Sequence, residues 1–113
     1  MAVFQKKANN IEMVQGSTAP FNLILKTSGT GSTFEMFVDK KADPEDATFQ
    51  IMNITGALDA DDDKLVAFTP SALEAASDPG LYYFQVKRTK TSSGAISFPA
   101  RGTLRILNSL DQA

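Results

Sequence analysis

The acidic stretch LDADDDK, residues 58–64, has the spacing that comes nearest to a metal site in this sequence. Asp59, Asp61 and Asp63 alternate like the first ligands of an EF-hand loop, where oxygens from positions 1, 3 and 5 surround one calcium ion. That loop also needs Gly at position 6 and Glu at position 12, and Lys64 and Pro70 stand there. The sequence therefore excludes an EF-hand and predicts a solvated acidic turn, with no metal ligand.

Other residues that could support catalysis do not form a recognisable site. Gly29 and Gly31 lack the Lys-Ser/Thr of a P-loop and the third glycine of a dinucleotide site, so they predict a hairpin tip. Nothing in the spacing of the carboxylates brings two of them into one buried cleft for acid–base catalysis. The carboxylates considered are Glu12, Glu35, Asp39, Glu45 and Asp46. We predict no catalytic and no cofactor-binding residue.

The composition narrows the chemistry further, because the 113 residues include no cysteine and no histidine. Disulfides, thiolate nucleophiles, Ser-His-Asp and Cys-His arrangements and the commonest zinc ligand are thereby excluded. We expect a protein that is not an enzyme and needs no cofactor.

Charge and hydropathy argue against two classes of partner. The formal net charge is -2, and the 11 Lys and Arg residues are scattered along the chain, so nucleic acid is not an expected partner. No apolar run approaches the roughly 20 residues needed to span a bilayer, and the start MAVFQKKANN has no apolar core of a signal peptide. We expect neither a membrane protein nor a secreted precursor.

Alternation of apolar and polar residues dominates the chain, and turn residues interrupt it regularly. It predicts one domain: an all-β, antiparallel, immunoglobulin-like β-sandwich of about seven to eight strands. Phe34 or Met36 must fill the core where antibody domains have tryptophan. The predicted strands are 11–14, 21–27, 33–40, 47–54, 64–69, 81–89 and a system from 95 to 107 with a break at Pro99.

One short helical turn is predicted at PSALEAAS, residues 70–77, with Pro70 at its first position, Thr69 as a cap and Leu73 as an inward anchor. The predicted organisation is an N-terminal arm at 1–10, the sandwich at 11–108 and a C-terminal tail at 109–113.

Two adjacent tyrosines follow an Asp-Pro-Gly turn in SDPGLYYFQVKR, residues 77–88. Asp78, Gly80 and Tyr82 have the pattern of a tyrosine corner, in which the hydroxyl bonds back to the backbone before the strand. Phe84 and Val86 then point into the core with Tyr82. Tyr83 falls on the opposite face, either as an exposed contact or packed under a loop.

Three stretches resemble the small sandwich modules of tailed-phage virions, in particular the N-terminal domain of siphophage upper baseplate proteins. They are IEMVQGSTAPFNLIL at 11–25, DPGLYYFQVKR at 78–88 and the closing strand GTLRIL at 102–107. That family has a QGD-like turn, where this chain has Ser17 in place of the frequent Asp, and a late GxYxxxV strand, matched by Gly80 to Val86. The resemblance implies an assembly role, by self-association and docking, without chemistry.

The leading hypothesis is accordingly a bacteriophage structural protein in a tail, baseplate or head-decoration position, assembled in the host cytoplasm and located in the virion. Its expected partners are other virion proteins and copies of itself. The predicted interface residues are Val3, Phe4, Phe37 and Tyr83. The alternative is a carbohydrate-binding or adhesive sandwich, which the absence of Trp and the presence of only 2 Tyr disfavour.

Overall fold

The computed structural model describes residues 2–4, 8–41 and 50–109, with side chains from Asn10 onward, and these form two packed β-sheets. The strands in this part of the chain are β1 (Ala2–Phe4), β2 (Ala8–Val14), β3 (Phe21–Ile24), β4 (Ser32–Asp39), β5 (Gln50–Thr55), β6 (Ala57–Leu58), β7 (Leu65–Phe68), β8 (Gly80–Lys90) and β9 (Ile96–Leu107). A single turn of helix, α1 (Ala72–Ala75), lies between β7 and β8. The predicted all-β sandwich is confirmed, with two strands outside the predicted ranges, β1 in the N-terminal segment and the two-residue β6.

The smaller sheet has the order β1-β3-β7-β6, and the larger has the order β2-β9-β8-β4-β5. The expected antiparallel pairing holds for most neighbours, but β1 is parallel to β3 and β2 is parallel to β9. The chain leaves the smaller sheet after β1 and enters the larger one at β2.

The N-terminal segment contributes strands to both sheets. The backbone of β1 pairs with β3, Ala2 opposite Phe21, and β2 pairs with β9 from Ala8 opposite Arg101. The expected boundary between an arm and the domain at residue 11 therefore falls within β2. The side chains of Val3 and Phe4, two of the predicted interface residues, lie outside the described part of the structure.

The core lies between the sheets. It consists of the residues on each strand that point inward, which alternate with residues that point outward. Phe34, Met36, Phe84 and Val86 are buried as predicted. Two polar residues of the described chain are also buried, since Asn22 is 8% exposed and Asp39 is 9% exposed. The fully buried aromatic and aliphatic side chains of the core include Phe21, Leu23, Val66, Phe68, Leu104 and Ile106.

Helix α1 begins two residues later than predicted. Ser71, not Thr69, is the N-cap: its hydroxyl accepts from the Glu74 N–H, and the Glu74 carboxylate accepts from the Ser71 N–H. This reciprocal capping box decides where the helix starts. The prediction that Leu73 anchors the helix in the core is wrong. Leu73 is 86% exposed, and Ala75 is the buried residue of the helix.

Strand β9 runs through Pro99 without the predicted break. Val86 pairs with Ala100 and Arg88 pairs with Ser97, so β9 has one more residue than β8 over this interval and the register shifts there. A bulge is a place where a strand tolerates proline, because the ladder is already interrupted.

Candidate interaction surface

The Asp78–Tyr82 turn leads from α1 into β8 and has the geometry of a tyrosine corner. The Tyr82 hydroxyl donates to the backbone carbonyl of Asp78 at 2.7 Å. Gly80 lies between them and has a φ of +156°, which residues with a side chain rarely adopt. A Cβ atom at this position would point toward the Tyr82 ring. The structure thus brings Asp78, Gly80 and Tyr82 together in one turn.

Burial and the nearby Asp78 carboxylate both raise the pKa of the Tyr82 hydroxyl, burial being the larger cause. A tyrosine hydroxyl is already protonated at neutral pH, and the raised pKa extends its donation to the Asp78 carbonyl to more alkaline pH. The ring is 6% exposed and packs within the core. The Tyr82 hydroxyl therefore ties the start of β8 to the turn that precedes it.

We expect Tyr82→Phe to lower the free energy of unfolding by about 1 to 2 kcal/mol, because it removes the hydroxyl bond and retains the packing of the ring. Urea denaturation of wild type and variant measures this difference. Tyr83→Phe is the matched control and should change stability by less than about 0.5 kcal/mol. Equal losses from the two variants would show that the corner has been assigned to the wrong tyrosine.

Phe37 and Tyr83 lie together on the outer face of the larger sheet. Phe37 is opposite Gln85 and Tyr83 is opposite Asp39, so the two aromatic residues are diagonal neighbours on β4 and β8. Both are half-buried. Diagonal neighbours on one sheet face are within reach of aromatic side chains. Two of the four predicted interface residues thus belong to one surface.

Charged residues of both signs flank this aromatic pair. Glu35 is directly opposite Lys87, and Arg101 is directly opposite Gln85. On the far side of the face, Arg105 is opposite Glu12. The outer face is therefore mixed, with a small apolar centre and a charged surround, which is the usual composition of a non-obligate protein interface.

A second apolar area, not expected from the sequence, lies where β2 and β9 end. Val14 and Leu107 are opposite each other in the register and are 45% and 38% exposed. They line a groove of about 310 Å³ whose other walls are formed by Glu12, Met13, Ser17, Ala19 and Phe21. The signal in the sequence was weak, since both residues end their strands.

A third apolar area lies on β9 near the β8–β9 hairpin. Ile96 and Phe98 are 55% and 52% exposed. Strand β2 pairs with β9 only from Arg101 onward, so Ile96 and Phe98 precede the part of β9 that β2 covers. Alternation predicts a strand here, but it does not predict that these two apolar side chains are exposed.

The acidic turn between β6 and β7 is organised by backbone contacts. The Asp59 carboxylate accepts from the N–H groups of Asp61 and Asp62, both at 3.0 Å, and the Asp62 carboxylate accepts from the Lys64 N–H. Asx turns of this type satisfy the carboxylates locally. Within residues 8–41 and 50–109, no group of three or more acidic side chains is placed to hold a metal ion.

We expect calcium and EDTA to leave the melting temperature unchanged, because a ligand that binds only the native state raises stability by mass action. Differential scanning calorimetry with each additive measures this. A rise of several degrees with calcium would contradict the prediction and identify Asp59 to Asp63 as a metal site.

None of the helical structure in the described ranges has the length and apolar composition of a membrane span.

Comparison with solved structures identifies the fold of the chain. No protein-family model matches the sequence, and no curated protein matches it. Among solved structures, the chain is similar to the N-terminal domain of phage TP901-1 ORF48, with a TM-score of 0.50 and 7% sequence identity. The match covers 89% of this chain and 85% of that one. The chain thus has the β-sandwich fold of that phage domain.

Proposed function

We propose that this protein is a non-enzymatic structural component of a tailed-phage virion, which acts by docking to other virion proteins and to copies of itself. The observation that carries the proposal is the structural match with a phage domain over most of both chains. The resemblance of the sequence to the N-terminal domains of siphophage upper baseplate proteins points to the same role. The best-supported positions are the baseplate and the tail.

The surface of the molecule is consistent with docking. The outer face of the larger sheet has the half-buried pair Phe37 and Tyr83 at its centre, and exposed apolar side chains lie on two sides. Leu81, 49% exposed, extends the aromatic pair along β8 toward Val14 and Leu107. Apolar groups within a polar surround favour association with a protein partner.

The alternative, a carbohydrate-binding sandwich, is less well supported by the same surface. Stacking on sugar rings requires a cluster of exposed aromatic side chains, and Phe98 is the single aromatic residue of the described chain that is more than half exposed. The chain has no Trp and 2 Tyr, and the hydroxyl of Tyr82 already donates to Asp78. Tyr83 is half-buried beside Phe37.

Mass spectrometry of purified phage particles tests the proposal. We expect a fixed number of copies of the protein in each particle of the phage that encodes it. Immunogold labelling should place these copies on the tail. Its absence from purified virions, together with abundance in the lysate, would refute the proposed function.

The docking face is tested by a Phe37→Ser, Tyr83→Ser double variant. It should melt as a folded protein but enter particles less efficiently than wild type. Thr33→Ser and Thr89→Ser, on the same two strands, form the control pair and should assemble normally. Normal incorporation of the folded double variant would exclude this face as the docking surface.

A further inference from the structure

Strand β5 is the last strand of the larger sheet on one side, so one of its edges has no neighbouring strand in the described residues. The Gly56 N–H donates to the Phe34 carbonyl at 2.8 Å, which places the even-numbered residues of β5 in the ladder with β4. Successive residues of a strand direct their N–H groups to opposite sides. The odd-numbered residues of β5, including Asn53, therefore direct theirs outward, where a free edge can accept another strand.

The outward N–H at the middle of this edge is already bonded to a side chain. Asn53 N donates to Glu74 Oε2 at 2.9 Å, across 21 positions of the sequence. The other oxygen, Oε1, accepts from Ser71 N at 2.9 Å and so belongs to the capping box of α1. One carboxylate thus completes the start of the helix and covers the edge of the sheet.

The helix that carries Glu74 is held in place at its other end. Gly16 N donates to the Ala75 carbonyl at 2.7 Å, and the Gln15 side chain donates to the Ala76 carbonyl at 3.2 Å. Gln15 and Gly16 directly follow β2, the strand at the opposite end of the larger sheet. Since α1 is tied to this turn, the position of Glu74 over β5 is set by the sandwich itself.

We propose that Glu74 closes the β5 edge against strand addition by the β5 strand of a second copy. A second copy is the occupant because β5 pairing antiparallel with itself about a two-fold axis satisfies both free edges at once. The carboxylate opposes this in two ways: it occupies the Asn53 donor, and two copies would bring their Glu74 charges together. This role does not depend on the proposed function in a virion.

The test compares Glu74→Ala with Ser71→Ala by sedimentation over a range of protein concentrations. Both changes weaken the capping box, but Ser71→Ala keeps the backbone N–H that holds the Glu74 carboxylate. We expect the weight-average mass of Glu74→Ala to rise with concentration toward that of a dimer, and Ser71→Ala to stay monomeric. If Glu74→Ala does not fold, Glu74→Gln removes the charge and leaves one acceptor oxygen for the two N–H donors, and it should also dimerise.

Hydrogen exchange at the Asn53 amide tests the same contact in dilute, monomeric protein. Exchange should become about tenfold faster or more in Glu74→Ala, because a charge-assisted hydrogen bond is lost, and should be unchanged in Ser71→Ala. A folded Glu74 variant that stays monomeric at every concentration would overturn the proposal.

Adding Asn53→Pro to Glu74→Ala identifies the surface through which the dimer forms. Proline removes the outward N–H and is tolerated on an edge strand, so the double variant should return to a monomer. A double variant that still dimerises would show that association uses another surface, such as exposed Leu73, and would equally overturn the proposal.

Discussion

Replacing Phe68 with alanine should lower the free energy of unfolding by about 3 to 5 kcal/mol. Phe68 is the last residue of β7, an inner strand of the smaller sheet, lies opposite Phe21 and is 0% exposed. Removal of its ring leaves a cavity between the two sheets, which the neighbouring side chains cannot fill unless the backbone moves. Because small domains have a total stability of about 5 to 15 kcal/mol, the loss is a large part of the whole.

Phe98→Ala is the matched control for this prediction, since it removes the same atoms from a side chain that is 52% exposed. It should change stability by less than about 0.5 kcal/mol. Urea denaturation gives both values, and the slopes should agree with wild type if only the native state is affected. A loss in Phe98→Ala as large as that in Phe68→Ala would contradict the assignment of the core.

Gly56→Ala should destabilise the protein by about 1 to 3 kcal/mol, although alanine normally stabilises a chain by restricting its unfolded state. Gly56 is the single residue between β5 and β6, where the chain leaves the larger sheet for the smaller one. A Cβ atom there would lie 2.7 Å from both Phe68 Cε1 and Val66 Cγ1. Both neighbours are 0% exposed, so neither can move aside without disturbing the core.

Gly29→Ala provides the comparison, because its Cβ would also be close to its neighbours, at 2.9 Å from the terminal Cδ1 atoms of Leu25 and Leu58. These methyl groups are the far ends of flexible side chains and can rotate away. Thermal and urea denaturation should therefore show a clearly smaller loss for Gly29→Ala than for Gly56→Ala. A Gly56→Ala protein as stable as wild type would mean that the sheets are not in close contact where the chain crosses.

Much of this fold follows from local rules. Alternation alone identified the strands that became β3, β4, β7, β8 and most of β9, because side chains on a strand point to opposite faces in turn. The same rule placed Phe34, Met36, Phe84 and Val86 in the core. The turn before β8 is also predictable from the sequence, because Gly80 and Tyr82 belong to one short segment whose geometry depends on its own residues.

Features that join distant parts of the chain were not predictable in this way. Leu73 was expected in the core, yet contacts of α1 with the turn at Gln15 and with Asn53 leave it exposed. The parallel pairing of β1 and β2 likewise arises from the geometry of two sheets, because nothing local specifies which strand an edge will meet.

For the candidate surface, the sequence by itself determined which residues face outward, including Phe37 and Tyr83. Only the tertiary structure decided that they are neighbours, because register between β4 and β8 depends on packing across the whole sheet. The contact between Glu74 and Asn53, 21 positions apart, likewise exists only because the sandwich brings a helix to a sheet edge. Strand patterns are local and follow from alternation, whereas surfaces and edge contacts depend on distant segments whose pairing is decided by the packed core.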